Sequence, residues 1–270
     1  MNDIQGYIFA DKSIHNYARI MGEIANFYIK KEDDYSHTNL EWDSKNNVLK
    51  SRPILLPNDF EATIEYHPNH FHFHISTNCP NLRDPLIITK NNNLNYIINT
   101  FKTNLALLGL NEQKLSTIKL AYSEILQNEK APLQPSKNGI HLFEKLRSGA
   151  NLVLNRYLIS NKLSSGIRIW PHNFDTGIFC KHDNNIEQYV GFAPADSLSE
   201  FPYFYNSFYK DGIAQDFVKN EQLALGKVIN SNWKGAIYIL DDVENLDDFL
   251  ISGVSFFENS TNIFFNKLKT

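Results

Sequence analysis

Apolar residues recur in this chain with two different periods, and the periods come in blocks. Spacings of three and four residues run through 12–30, 94–108, 141–161 and 246–268, the repeat of a single helix face. Strand-like runs occupy 60–66 and 70–75, which alternate strictly, and then 166–180, 189–193 and 233–240. A segment of one period cannot bury its apolar set in the other conformation, so the order of blocks restricts the fold. That order is helix, strands, helix, then helix, strands, helix. Strands grouped between helices predict an α+β fold, with a mostly antiparallel sheet and packed helices, over alternating βαβ units. The repeated order predicts two related halves, 1–130 and 140–270, descended from an internal duplication and packed as one compact unit.

Local chemistry sharpens several boundaries. Asp11 is placed to cap the helix that carries Ile14, Tyr17, Met21, Ile24 and Tyr28. Gly109 is placed to end the second helix in the left-handed conformation. Pro53 and Pro57 hold the chain extended, and Pro68 with Asn69 suits the turn of a hairpin. Residues 116–125 fit strand or helix equally, and 128–139, with Pro132 and Pro135, reads as the linker. The stretch 196–232 has little periodicity and many aromatics, which predicts a long structured loop over the sheet.

Composition narrows the class of function. A net charge of -4 over 270 residues offers no basic footprint for nucleic acid. Cys79 and Cys180 lack the paired spacing of a zinc knuckle or redox motif, so both are expected as reduced thiols. No run approaches the ~20 apolar residues of a membrane span, and no basic, then apolar leader opens the chain. A soluble cytoplasmic protein is the expectation.

Two segments concentrate groups that could do chemistry: Ser36-His37-Thr38-Asn39-Leu40-Glu41-Trp42-Asp43 and Arg168-Ile169-Trp170-Pro171-His172-Asn173-Phe174-Asp175. Pro171 stiffens the backbone, and strand alternation would put Trp170, His172 and Phe174 on one face. In the functional reading His172 is the acid or base, Asp175 its orienter and His37 a second polar group. Trp170, Asn39, Trp42, Asp196, Tyr203 and Tyr205 would bind substrate. In the competing reading the same histidines are buried beside core aromatics and bonded to the backbone. A two-histidine, one-carboxylate metal site is open to these residues, but no ligand spacing demands it, so no metal ligands are assigned and no cofactor is specified. His70, His72 and His74 share a strand face that could make a metal-binding row beside His67, but Phe71, Phe73 and Ile75 opposite explain the pattern as polar-out, apolar-in and predict a solvated face. No phosphate-binding glycine loop and no serine nucleophile elbow is present.

Together with Arg52-Pro53, the run Gly191 to Asp196 and Pro202-Tyr203-Phe204-Tyr205, these segments resemble a family of uncharacterised bacterial proteins marked by a Trp-Pro-His-His-Phe-Asp motif. The resemblance covers most of the chain. It departs at Asn173, where the family has its second His, and at Ala195, where a Gly precedes the Asp. It implies a shared site around His37, Trp170, His172, Asp175, Asp196 and Tyr203, and carries over no chemistry. The expectation is a small-molecule site where the two segments meet, with acid–base hydrolysis as its possible activity. The alternative is a non-catalytic binding or scaffolding protein, and whether the chain is an enzyme stays open.

Overall fold

The computed structural model describes residues 4–80, 86–88, 94–111, 135–217, 223–241 and 245–267. The ambiguous segment 116–125 and most of the expected linker lie outside them. The fold is α+β, and every pairing whose register is defined is antiparallel. Among the described residues no helix is long and apolar enough to cross a membrane. The chain divides into two compact units. One, here the N-terminal unit, is Phe9–Ile140 with Trp170–His172, and the C-terminal unit is Met1–Ile8, His141–Ile169 and Asn173–Thr270.

In the N-terminal unit, α1 (Ile4–Tyr28, from Phe9 onward) precedes β1 (Leu40–Asp43), β2 (Val48–Ser51), β3 (Ile54–Leu55), β4 (Glu61–His67), β5 (His72–Thr77), β6 (Leu86–Ile88) and α2 (Leu94–Leu107). The sheet order is β1-β2-β4-β5-β6, with β3 paired to β4. Helix α1 starts before the cap expected at Asp11, and within this unit its buried stripe runs back to Ala10. Asp11 lies within the helix and is buried. Strands β4 and β5 turn Ala62, Ile64, Tyr66, Phe73 and Ile75 into the core, where Tyr17 stacks on Tyr66 at 4.6 Å. Gly109 lies just past α2 at φ +79° and donates its N–H to the Ala106 carbonyl at 2.9 Å.

The C-terminal unit holds α3 (Lys137–Ser160, from His141 onward), β7 (Arg168–Trp170), β8 (Asp175–His182), β9 (Ile186–Ala193), β10 (Tyr203–Lys210), β11 (Ile213–Ala214), β12 (Lys227–Asn230), β13 (Lys234–Ile239) and α4 (Leu246–Lys267). Its order is β12-β13-β10-β9-β8-β7, with β11 on β10. The long loop expected over 196–232 is corrected here: β10 is an inner strand, and β11 and β12 follow it. Strand β10 is buried on both faces through its first six residues, so no polar–apolar alternation marks it in the sequence. Phe204 packs on Phe249 and Phe257 of α4, and Phe208 stacks on Phe264 at 3.7 Å. The other face of β10 packs Tyr203 and Tyr205 with Ala193, Ile237, Leu198 and Trp233.

Candidate functional site

The second motif is interrupted by a turn. Strand β7 stops at Trp170, residues 171–174 turn, and Phe174 takes φ +62° before β8 begins at Asp175. This corrects the expectation that Trp170, His172 and Phe174 share one strand face. His172 is exposed in the turn, whereas Phe174 is buried with the Arg147 guanidinium 4.1 Å from its ring centroid. Those contacts hold an aromatic residue in a backbone region it rarely occupies.

The division between units also separates the candidates. Trp170 and His172 belong to the N-terminal unit with His37, Asn39 and Trp42, and Asp175, Asp196, Tyr203 and Tyr205 belong to the C-terminal unit.

In the N-terminal unit the two motif segments converge on Gly22 of α1. A Cβ at Gly22 would lie 2.8 Å from Pro171 Cβ and 3.8 Å from the Thr38 carbonyl, so only glycine admits Pro171 here. His15 Nε2 lies 2.8 Å from the Pro171 carbonyl and ties the turn to the same helix. His37, in the 3-10 turn Ser36–Thr38, is buried and committed. Its Nδ1 accepts the Glu32 N–H at 3.2 Å, and its Nε2 is 3.1 Å from Asn26 Oδ1. Both ring nitrogens are thereby used. Asn39 is only 4% exposed, and neither Nδ2 nor Oδ1 of its side chain has a hydrogen-bond partner. Trp42 is buried and Trp170 half-buried.

In the C-terminal unit Tyr205 donates its hydroxyl to Asp175 Oδ2 at 2.5 Å, and Tyr203 donates to Asp196 Oδ2 at 2.8 Å. Tyr205 reaches Asp175 by crossing over Gly191, whose Cβ position lies 2.6 Å from the tyrosine hydroxyl. Burial first, then the neighbouring carboxylates, push both phenols well above their ordinary range. Asp196 Oδ1 also accepts the Leu198 N–H at 2.8 Å, which closes a turn. These groups build a packed polar seam.

The histidine row is not fully solvated, which corrects a second expectation. His67, His72 and His74 are each half-buried on the β4–β5 hairpin, with a ligand atom from each within 4.8 Å of the others. Burial first, then repulsion from the neighbouring histidines, brings His67 down to about 4, and burial lowers His72 as well. Nearby, Lys50 pairs with Asp43 at 2.7 Å and holds that carboxyl well below the usual range.

Sequence reasoning missed Arg147. It is fully buried in α3, donates to Thr176 Oγ1 at 2.8 Å and lies among Phe143, Phe174 and Phe192. Its position one turn after Phe143 and three residues before Ala150, on the apolar stripe, was the available signal. A pocket of about 340 Å³ lined by Lys181, His182, Asn185, Ile186, Glu187, Asp211 and Gly212 also lies in this unit. Comparison with protein-family models, characterised proteins and solved structures finds no match to this chain.

Proposed function

We propose that this chain is a small-molecule-binding protein and not an acid–base enzyme, with Asn39 as the group that meets the ligand. The observation that carries this reading is the buried Asn39 side chain with neither amide atom partnered. Such a group costs about 1–3 kcal/mol in a fold that leaves it unsatisfied, and a native fold that keeps one calls for a partner that completes it. An amide offers one donor edge and one acceptor edge, which complement a ligand amide, a carboxylic acid or a nucleobase edge. Residues 30–35, exposed throughout, lead into the turn before Asn39. Acid–base hydrolysis loses the second polar group and the orienter expected for His172, because both His37 nitrogens are committed within the fold and Asp175 is engaged by Tyr205. The order of helix, strands and helix in each unit supports the further reading that the two are diverged copies.

The test uses Asn39→Leu, which keeps the volume and removes the orphaned polar atoms. The variant is expected to match or exceed the parent in chemical denaturation. Primary amides, carboxylic acids and nucleobases are then screened by thermal shift. At least one class should raise the parent Tm and leave the variant unmoved. A variant less stable by more than about 1 kcal/mol, with no compound shifting the parent, would overturn the reading.

A further inference from the structure

We propose that His67, His72 and His74 form a binding site for a divalent first-row transition ion of the zinc class, with Glu65 as the fourth ligand. The hairpin dictates the arrangement. His72 and His74, two apart on β5, project from one face, and His67 on β4 lies directly opposite His72 in the register. Glu65 lies opposite His74, so four donor side chains occupy adjacent positions on two paired strands. Ring centroids are 5.0 Å apart for His67 and His72, 4.2 Å for His67 and His74, and 4.5 Å for His72 and His74.

Packing imidazoles together is ordinarily offset by hydrogen bonds, yet Nε2 of His67 and Nε2 of His72 are shielded from solvent with no such partner. A bound ion supplies the missing partner. Glu65 already approaches, with Oε2 3.6 Å from His67 Nε2, while its other oxygen lies 3.5 Å from Lys50 Nζ. Lys50 keeps its shorter contact to Asp43 when Glu65 turns to the metal. Ligand nitrogens 4.8 Å apart or less close to tetrahedral spacing through side-chain rotation, since zinc–nitrogen bonds of about 2.0–2.1 Å place ligand atoms nearer together than that. Imidazoles with one carboxylate suit zinc, copper, nickel or cobalt, whereas magnesium and calcium require oxygen ligands. These residues are separate from Asn39, so this site and the small-molecule reading stand or fall independently.

The experiment takes tag-free, full-length protein stripped with chelator and titrates zinc sulfate by calorimetry. One equivalent should bind, and zinc should raise the Tm. Cobalt should give the absorption of a four-coordinate site, and magnesium and calcium should do neither. The His72→Ala/His74→Ala double variant should lose at least about 100-fold in zinc affinity, and Glu65→Gln about 10-fold, the range seen when groups around a metal are altered. His70→Ala, at the exposed turn residue, should bind as the parent does. Each variant's metal-free unfolding curve reports whether it folds. Should the double variant not fold, His74→Gln with the cobalt spectrum replaces it, and an unchanged spectrum overturns the proposal. Binding that survives the double variant, that is lost with His70 alone, or that is absent from the parent overturns it as well.

Discussion

Asp175 is buried on β8 and receives the Tyr205 hydroxyl from β10, with Gly191 of β9 between them. The bond exists because Gly191 lacks a side chain. A Cβ there would meet the Tyr205 hydroxyl at 2.6 Å and the Thr176 carbonyl at 2.7 Å, and only the tyrosine can yield. Gly191→Ala is therefore expected to eject the ring and break the Tyr205–Asp175 hydrogen bond, at a cost of about 2–4 kcal/mol from overpacking and the lost bond together. Chemical denaturation checks the loss. Tyr205→Phe keeps the ring carbon that a Cβ would meet at 2.7 Å and supplies no donor to Asp175, so in the Gly191→Ala background it should recover little of the loss. Gly191 was visible in the sequence as part of a motif, but its role was not, because it depends on which tyrosine lies opposite.

Helix α4 is joined to the sheet by polar groups as well as by phenylalanines. Gln188 on β9 shares the two hydrogens of Nε2 among Tyr157 Oη at 2.9 Å, Asn206 Oδ1 at 3.0 Å and Thr261 Oγ1 at 2.9 Å, and its Oε1 lies 2.8 Å from His182 Nε2. Asn206 in turn donates to Ser260 Oγ at 2.8 Å. The network links α3, β9, β10 and α4 with directional contacts, which fix the register of the helices where stacked aromatic rings alone would let them slide. Gln188→Leu is expected to lower stability by about 2–4 kcal/mol, because several buried groups lose a partner at once. In a double-mutant cycle with Thr261→Val the second change should cost much less than it does alone. Additive losses would mean that the contacts are independent. The periodicity of 246–268 was enough to find α4, whereas the network joins residues 157, 188, 206 and 261, whose proximity no local pattern encodes.

At the scale of the whole chain, buried phenols set the alkaline limit. Burial raises Tyr17 and Tyr66 in the N-terminal unit and Tyr157, Tyr203 and Tyr205 in the C-terminal unit above their ordinary range. Below the unfolded phenol value of about 10 both states hold these protons and stability is unaffected. As pH rises past it, the unfolded chain ionises while the folded chain resists, so stability falls. Midpoints of chemical denaturation should therefore hold steady up to about pH 9.5 and then drop steeply. Replacing Tyr203 and Tyr205 together by Phe should make that drop shallower, and an unchanged slope would show that other groups govern it. Because the sensitive tyrosines are shared between both units, the decline should appear in probes of each.

The sequence determined what is local or periodic. Helices α1 to α4, the β4–β5 hairpin and the left-handed end at Gly109 follow from apolar spacing and turn chemistry, which act over a few residues. Tertiary structure decided the rest. Strand β10 escaped detection because burial on both faces erases alternation. The start of α1 before Asp11 emerged only with its buried stripe, which runs back to Ala10. His37 and His72 are both histidines in motif-like runs, yet one has both ring nitrogens bonded and the other has a shielded nitrogen with none. That difference arises from which groups the fold brings opposite them, and a linear pattern carries no record of partners that meet only when the chain has folded.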